Sequence, residues 1–260
     1  MSGRMRSALH GLALLTGAGL LAVAAWAATP YGPDERALDA LRTSDGISVE
    51  RTGWGWEFAP SASMPATAVV VYPGGHVDPR SYAPLARSLA QAGYRAIVIK
   101  MPLSLAVMAP NAADRAVRAH PEIRRWAIVG HSLGGAMAAA HAARRPGRYS
   151  ALVLLAAYPP ESVDLSRQRM AVAAFAGSED TVLNRARFDA MRGRLPQESV
   201  IATVEGANHA QWGAYGRQRG DGDAHIAPEV QTAIAVDAVR RVLGDLPPLE
   251  EPATPGPDTR

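Results

Sequence analysis

Apolar and polar positions alternate in blocks along most of the chain, and the blocks predict strands and helices in turn. Short apolar runs such as TAVVVY at 67–72 and WAIVG at 126–130 predict strands that are buried on both faces. The segments Ser81–Ala92 and Leu133–Ala143 are interpreted as helices that pack between such strands. Repeated strand–helix units of this kind predict an α/β fold, in which helices cover both faces of one mostly parallel central sheet.

The other predicted elements complete one domain with appendages at both ends. They are a helix at Pro33–Arg42, a strand hairpin at Ile47–Thr52 and Trp54–Phe58, strands at Tyr94–Lys100, Ala151–Ala156, Met170–Phe175 and Val200–Val204, and a helix at Ala112–Ala119. The predicted domain spans residues 46–245, after a linker or short helix at 29–45. The stretch 246–260 is rich in proline and charge, which predicts a disordered tail.

Residues 1–28 have the pattern of a targeting segment. Arg4 and Arg6 precede an almost uncharged run from Ala8 to Ala28. The run is longer than the about 7–15 apolar residues of a cleaved signal peptide and close to the about 20 residues that span a membrane. Ala25-Trp26-Ala27 offers a cleavage site, so secretion and retention as a membrane anchor both fit. Because the arginines lie on the N-terminal side, the body is predicted to face the extracytoplasmic side.

Composition narrows the classes of function. The chain has 260 residues, 48% of them hydrophobic, which is enough for a large core. Its formal charge of +3 includes Arg4 and Arg6, and the other arginines form no basic tract with aromatic residues, so nucleic acid is not a predicted partner. The absence of cysteine excludes disulfides, thiolate metal sites and a cysteine nucleophile.

Residues that suit catalysis follow four of the predicted strands. Ser132 follows WAIVG, Asp180 follows the strand MAVAAFA, and His209 follows VIATV. The glycine-containing stretch 72–76 follows TAVVVY. Because the carboxyl ends of parallel strands lie at one edge of the sheet, we expect these residues to meet there. Ser132 lies in GHSLGG, whose small residues favour a nucleophile elbow, the strained turn that presents a serine hydroxyl between a strand and a helix.

The residue types suit a Ser–His–acid triad. A serine hydroxyl becomes a good nucleophile when a base removes its proton, and neutral imidazole is suited to that near pH 7. His209 is favoured over His225 as the base because it directly follows the last predicted core strand. The acid that orients the imidazole is Glu179 or Asp180, which spacing alone does not separate.

Two backbone N–H groups are predicted to stabilise the oxyanion of the reaction. Leu133 is the residue after the nucleophile and begins a helix, and Gly75 lies in the loop after the strand TAVVVY. His76 in that loop, and Trp212 and Tyr215 in the loop after His209, are predicted to line the substrate pocket.

These motifs resemble the α/β-hydrolase superfamily over roughly Ile47 to Leu243. Within it, the chain is similar to a small bacterial group with a G-H-S-L-G-G elbow, a G-x-x-D acid turn and an N-H-A-Q-aromatic-G histidine loop, which here read GHSLGG, GSED and NHAQWG. The resemblance assigns the acid to Asp180 and implies an N-terminal membrane helix, which the leader matches. The chain departs from the family at the oxyanion loop, where many hydrolases have His-Gly and this chain has Tyr72-Pro73-Gly74-Gly75.

The motifs and the resemblance predict a serine hydrolase that acts on a small or short-chain carboxylic ester or thioester through an acyl-enzyme. No cofactor is required, and the acidic loop at 219–225 is interpreted as a turn rather than a metal site. The interval between the strand at Ala151–Ala156 and the next strand is short and charged, which predicts a minimal lid. The alternative is a catalytically silent, membrane-tethered binding protein on a hydrolase scaffold. The natural substrate depends on the pocket lining, which these motifs do not determine.

Overall fold

A computed structural model describes residues 25–26, 29–44 and 46–244. Its strands are β1 (Ile47–Arg51), β2 (Gly55–Pro60), β3 (Thr67–Tyr72), β4 (Arg95–Ile99), β5 (Arg125–His131), β6 (Ala151–Leu155), β7 (Ala171–Gly177) and β8 (Val200–Val204). Within the described residues these form one sheet in the order β1-β2-β4-β3-β5-β6-β7-β8. β2 pairs antiparallel with β1 and β4, and every other neighbouring pair is parallel. The predicted mostly parallel sheet is confirmed.

Helices cover both faces of this sheet, as predicted. They are α1 (Glu35–Ala40), α2 (Ala83–Gln91), α3 (Ala113–Ala119), α4 (Leu133–Ala143), α5 (Arg185–Ala190) and α6 (Pro228–Gly244). Successive side chains of a strand point to opposite faces, and β3 shows the result. Val69 and Val71 join a core that includes residues of α2 and α6, whereas Val70 and Tyr72 join a second core with residues of α3, α4 and α5.

Element bounds agree closely with the hydrophobic pattern. The strand at 67–72 and the helix at 133–143 have the predicted ends. The predicted helix Ser81–Ala92 instead divides into a 3-10 turn, Pro79–Tyr82, and α2. The division is explained by Pro84, which lacks an N–H group and therefore suits the first turn of a new helix.

Three predictions concern the appendages and the lid. The connection between β6 and β7, every residue of which is described, contains no helix, so the lid is minimal as predicted. The leader at 1–28 lies outside the described residues except for Ala25 and Trp26, and so does the tail at 246–260. In the described part of the chain, no helix has the length and apolar character needed to cross a membrane.

Candidate active site

Ser132 lies in a strained turn between β5 and α4. Its φ is 51° and its ψ is −125°, a conformation that costs a non-glycine residue about 1–3 kcal/mol. Close packing of small residues surrounds this turn. A Cβ atom on Gly134 would lie 2.2 Å from the carbonyl oxygen of Pro73, and one on Gly135 would lie 2.3 Å from the Cβ of Ala157. The two glycines therefore let the elbow pack directly against the loop after β3 and the chain after β6.

His209 and Asp180 form a buried hydrogen-bonded pair. His209 Nδ1 lies 2.9 Å from Asp180 Oδ2, and both side chains are almost completely buried. An ionised carboxylate only accepts, so Nδ1 donates and Nε2 of the neutral ring carries no proton. Asp180 Oδ1 accepts from the backbone N–H groups of Val182 and Leu183 at 3.0 and 2.8 Å. The carboxylate thus holds the imidazole in the tautomer that a general base needs.

A cavity of about 270 Å³ contains both Ser132 and His209. The rest of its lining is mostly apolar and consists of Leu133, Ala136, Ala156, Ala157, Tyr158, Val182, Leu183 and Asn184. Pockets for drug-sized ligands usually measure about 300–1,000 Å³, so this one suits a small group. A larger hollow of about 370 Å³ between α2 and α6 contains neither Ser132 nor His209 and lies away from this chemistry.

Backbone donors of Gly75 and Leu133 remain free beside the elbow, among the described residues. Gly74 N–H donates to the Tyr82 hydroxyl at 2.8 Å, and His76 N–H donates to a backbone carbonyl oxygen at 2.8 Å. The N–H of Gly75 between them has no partner among the described residues. Leu133 N–H is also free there, since the first N–H groups of a helix have no intrahelical acceptor. A Cβ atom on Gly75 would lie 3.0 Å from Leu133 Cδ2, so these two donors belong to residues in contact.

The other residues predicted to line the pocket lie outside the cavity that contains Ser132. The ring of His76 stacks on Trp26 with 4.0 Å between ring centroids, and its Nε2 lies 2.6 Å from the Trp26 carbonyl oxygen. Trp212 and Tyr215 are 3% and 6% exposed and pack in the core that includes α6. Their large rings bury more apolar surface in the core than they would at an open cleft.

The alternative base, His225, lies outside this cavity, and the alternative acid, Glu179, bonds to other groups than His209. Glu179 accepts a hydrogen bond from the Ser178 hydroxyl at 2.9 Å. The side chain of His225 is 72% exposed, and its Nδ1 is 3.9 Å from Glu179. His209 therefore shares the cavity with Ser132, and Asp180 is the carboxylate that hydrogen-bonds to it.

Side chains that hold the His209 loop were not identified from the sequence. Asp221, interpreted there as a turn residue, accepts from the backbone N–H groups of His209 and Ala210 at 3.3 and 2.8 Å. Gln231 of α6 donates to the Asn208 carbonyl oxygen at 2.8 Å and accepts from the Asn208 N–H at 3.3 Å. The polar Gln231 on an otherwise apolar helix face was the one available signal.

Two further buried histidines have lowered pKa values. Burial, reinforced by the nearby His209, holds the pKa of His131 well below its usual range. Burial also lowers the pKa of His141 to about 4, although Asp114 opposes the shift. His141 bonds to the Tyr149 hydroxyl at 2.9 Å behind the elbow helix, where it has a packing role.

Comparisons with known proteins agree with this architecture. A family model described as "Alpha/beta hydrolase family" matches residues 68–233. The crystal structure of a predicted CIB-like hydrolase from Thermoplasma acidophilum is similar, with a TM-score of 0.59 and 16% identity over 75% of this chain and 100% of that one. At this identity the likeness shows the fold alone. No curated protein matches the chain. Because the family match spans more than half of its residues, the chain belongs to the alpha/beta hydrolase family.

Proposed function

We propose that this chain is a serine hydrolase that cleaves carboxylic esters or thioesters through an acyl-enzyme. One observation supports this most: His209, held by Asp180 at 2.9 Å, lies in the same cavity as the strained Ser132. Membership of the hydrolase family agrees with it. A protein that only binds a ligand has no need of a strained serine beside a histidine that a buried carboxylate orients.

In the proposed reaction, Ser132 Oγ attacks the carbonyl carbon while His209 Nε2 takes the hydroxyl proton. Asp180 stabilises the imidazolium that forms. The tetrahedral oxyanion accepts hydrogen bonds from the Gly75 and Leu133 N–H groups, both of which are free in the described structure. Collapse expels an alcohol or thiol, which receives the proton from His209. Water then attacks the acyl-enzyme by the same steps and releases the acid and free Ser132.

The proposed substrates carry small or short acyl groups. The cavity volume of about 270 Å³ is small, and the short β6–β7 connection offers no helical cap for a long chain. No cofactor takes part in this reaction.

A fluorophosphonate probe tests the proposal, because it phosphonylates an activated serine. We expect it to label the purified protein, Ser132→Ala to remove the labelling, and Ser88→Ala to leave it unchanged, since Ser88 lines the separate hollow at α2 and α6. Absence of labelling in the folded wild-type protein, together with no turnover of short esters, would favour the silent binding protein instead.

We also propose that the body faces the extracytoplasmic side, tethered by residues 8–28 or released after cleavage. Arg4 and Arg6 before the apolar run support this orientation. Cell fractionation with N-terminal sequencing of the recovered protein tests both points. Full-length protein free in the cytoplasm would contradict the proposal.

A further inference from the structure

A buried hydroxyl connects the oxyanion loop to the residue before the nucleophile. The hydroxyl of Tyr82 accepts from Gly74 N–H at 2.8 Å and lies 2.7 Å from Nδ1 of His131. Tyr82 is completely buried and His131 is 1% exposed. The three groups come from the loop after β3, the 3-10 turn Pro79–Tyr82 and the end of β5. Neither Tyr82 nor His131 has a role in the proposed reaction, although the His131 ring packs on that of His209 with 4.7 Å between centroids.

Hydrogen-bond directions in this bridge follow from the donors available. A backbone N–H only donates, so the Tyr82 oxygen accepts from Gly74, and its own proton finds an acceptor in His131 Nδ1. In this arrangement His131 is neutral with its proton on Nε2, a buried atom that has no hydrogen-bond partner among the described residues. Burial lowers the pKa of His131 well below its usual range and so favours the neutral ring.

The bridge explains why residue 74 is glycine. A Cβ atom there would lie 2.9 Å from His131 Nδ1 and 3.0 Å from the Tyr82 hydroxyl oxygen. Any side chain would therefore push the loop away from both partners. Glycine lets the backbone approach closely enough for the hydrogen bond to form.

The loop is held on both sides of the free Gly75 N–H. Gly74 N–H is bound by Tyr82, and His76 N–H is bound by the carbonyl oxygen of Ser104 at 2.8 Å. Gly75 N–H lies between these two anchors, and Gly75 contacts Leu133 of the elbow helix. The position of the Gly75 donor relative to Ser132 thus depends on the bridge.

We propose that Tyr82 and His131 are positioning residues, which hold the Gly75 N–H where it can bind the reaction's oxyanion. The inference rests on the proposed function and extends it to residues that do not touch the substrate. Loss of one oxyanion donor typically lowers turnover by about 10²–10³, and a displaced donor should cost less.

The test compares binding of a transition-state mimic with binding of a ground-state ligand. A short-chain trifluoromethyl ketone adds Ser132 Oγ at its carbonyl carbon, and the resulting oxyanion occupies the hole. The product carboxylate binds without forming that adduct. For Tyr82→Phe we expect kcat and ketone affinity to fall by about 10- to 100-fold, while KM and carboxylate affinity change by less than about 3-fold.

Variants of His131 separate positioning from simple packing. The Oδ1 atom of asparagine can accept a hydrogen bond near the place of Nδ1, so His131→Asn should keep most of the ketone affinity. His131→Leu removes the acceptor and should resemble Tyr82→Phe. Both changes break the same bridge. The double variant Tyr82→Phe/His131→Leu should therefore bind the ketone no more weakly than the more impaired of the two single variants.

Tyr149→Phe is a matched control. Tyr149 is also completely buried and its hydroxyl also bonds to a histidine, His141, at 2.9 Å, but neither residue lines the cavity with Ser132. We expect it to lower the melting temperature without changing the ratio of ketone to carboxylate affinity.

Each outcome decides between specific explanations. An unchanged ratio in Tyr82→Phe, an equal loss in His131→Asn and His131→Leu, or the same loss in Tyr149→Phe would overturn the positioning role. If Tyr82→Phe does not fold, the two His131 variants carry the comparison. Failure of wild-type protein to bind the ketone or react with a fluorophosphonate would instead overturn the proposed function itself.

Discussion

Asp180→Asn tests the acid of the triad, because it removes the charge while keeping the shape of the side chain. Asp180 Oδ1 accepts from the N–H groups of Val182 and Leu183 at 3.0 and 2.8 Å, and Oδ2 lies 2.9 Å from His209 Nδ1. An asparagine has one oxygen for these two places. The asparagine oxygen can therefore face either the two backbone N–H groups or His209, but not both.

The backbone N–H groups of Val182 and Leu183 determine which way the asparagine side chain faces. If the amide NH₂ faced Val182 and Leu183, two buried N–H groups would lose their acceptor at about 1–3 kcal/mol each. The oxygen therefore stays with them and the NH₂ group faces His209. Because NH₂ only donates, His209 Nδ1 must become the acceptor and its proton moves to Nε2. In that tautomer Nε2 cannot take the proton of Ser132.

We expect Asp180→Asn to lower kcat by about 10³–10⁴ with an unchanged fold, as the wrong tautomer does in serine proteases. The assay is turnover of p-nitrophenyl acetate, with circular dichroism and melting temperature as checks on the fold. Glu179→Gln is the matched control, since Glu179 bonds to Ser178 whereas Asp180 bonds to His209; it should retain activity within about 3-fold. Asp180→Asn activity within 10-fold of wild type, or collapse of the Glu179 variant, would refute the assignment.

Three other outcomes follow from the structure. Specificity constants for p-nitrophenyl esters should peak between acetate and butyrate and fall toward palmitate. Tyr158→Ala should shift the peak to longer chains by enlarging the cavity. A wild-type maximum at palmitate would contradict the small pocket. In urea titrations, Gly134→Ala should lower the unfolding free energy by about 1–3 kcal/mol, and it should remove most activity, because the new Cβ atom would displace the oxyanion loop. Gly193→Ala is the control: a Cβ atom there would have no neighbour within 4 Å, so the unfolding free energy should hardly change. Because the pKa of His141 is lowered to about 4, the unfolded chain binds more protons than the native one between about pH 6.5 and 4, and the melting temperature should fall as pH falls through that window. His141→Gln should make the melting temperature depend less on pH there. An unchanged dependence would show that His141 does not cause it.

The three candidate catalytic residues could be picked out because chemistry in a parallel sheet collects where strands end. Ser132, Asp180 and His209 each follow a strand whose apolar run marks its limits, and the fold brings the three strand ends to one edge. The choice of Asp180 over Glu179 needed the family resemblance; in the structure it is Asp180 that bonds to His209, with its other oxygen held by two backbone N–H groups.

The groups that hold the catalytic loops could not be predicted in the same way. Tyr82 meets His131 across 49 positions, and Gln231 meets Asn208 across 23. Such contacts follow from packing in three dimensions and leave no periodic signal along the chain. Trp212 and Tyr215 show the same limit, since aromatic residues near His209 suit a pocket and a core equally well until burial is known.

The contact between Trp26 and His76 links the leader to the oxyanion loop. Cleavage after Ala27, at the small-x-small site, would remove Trp26 together with the apolar run. The cleaved chain would lose the ring that stacks on His76 and the carbonyl oxygen 2.6 Å from its Nε2. Because His76 N–H anchors the loop next to Gly75, this loss would loosen one side of the loop that presents the proposed oxyanion donor. Retention of the leader would keep both contacts, so a comparison of turnover between the full-length chain and a chain that begins at Ala28 would measure what they contribute to the loop.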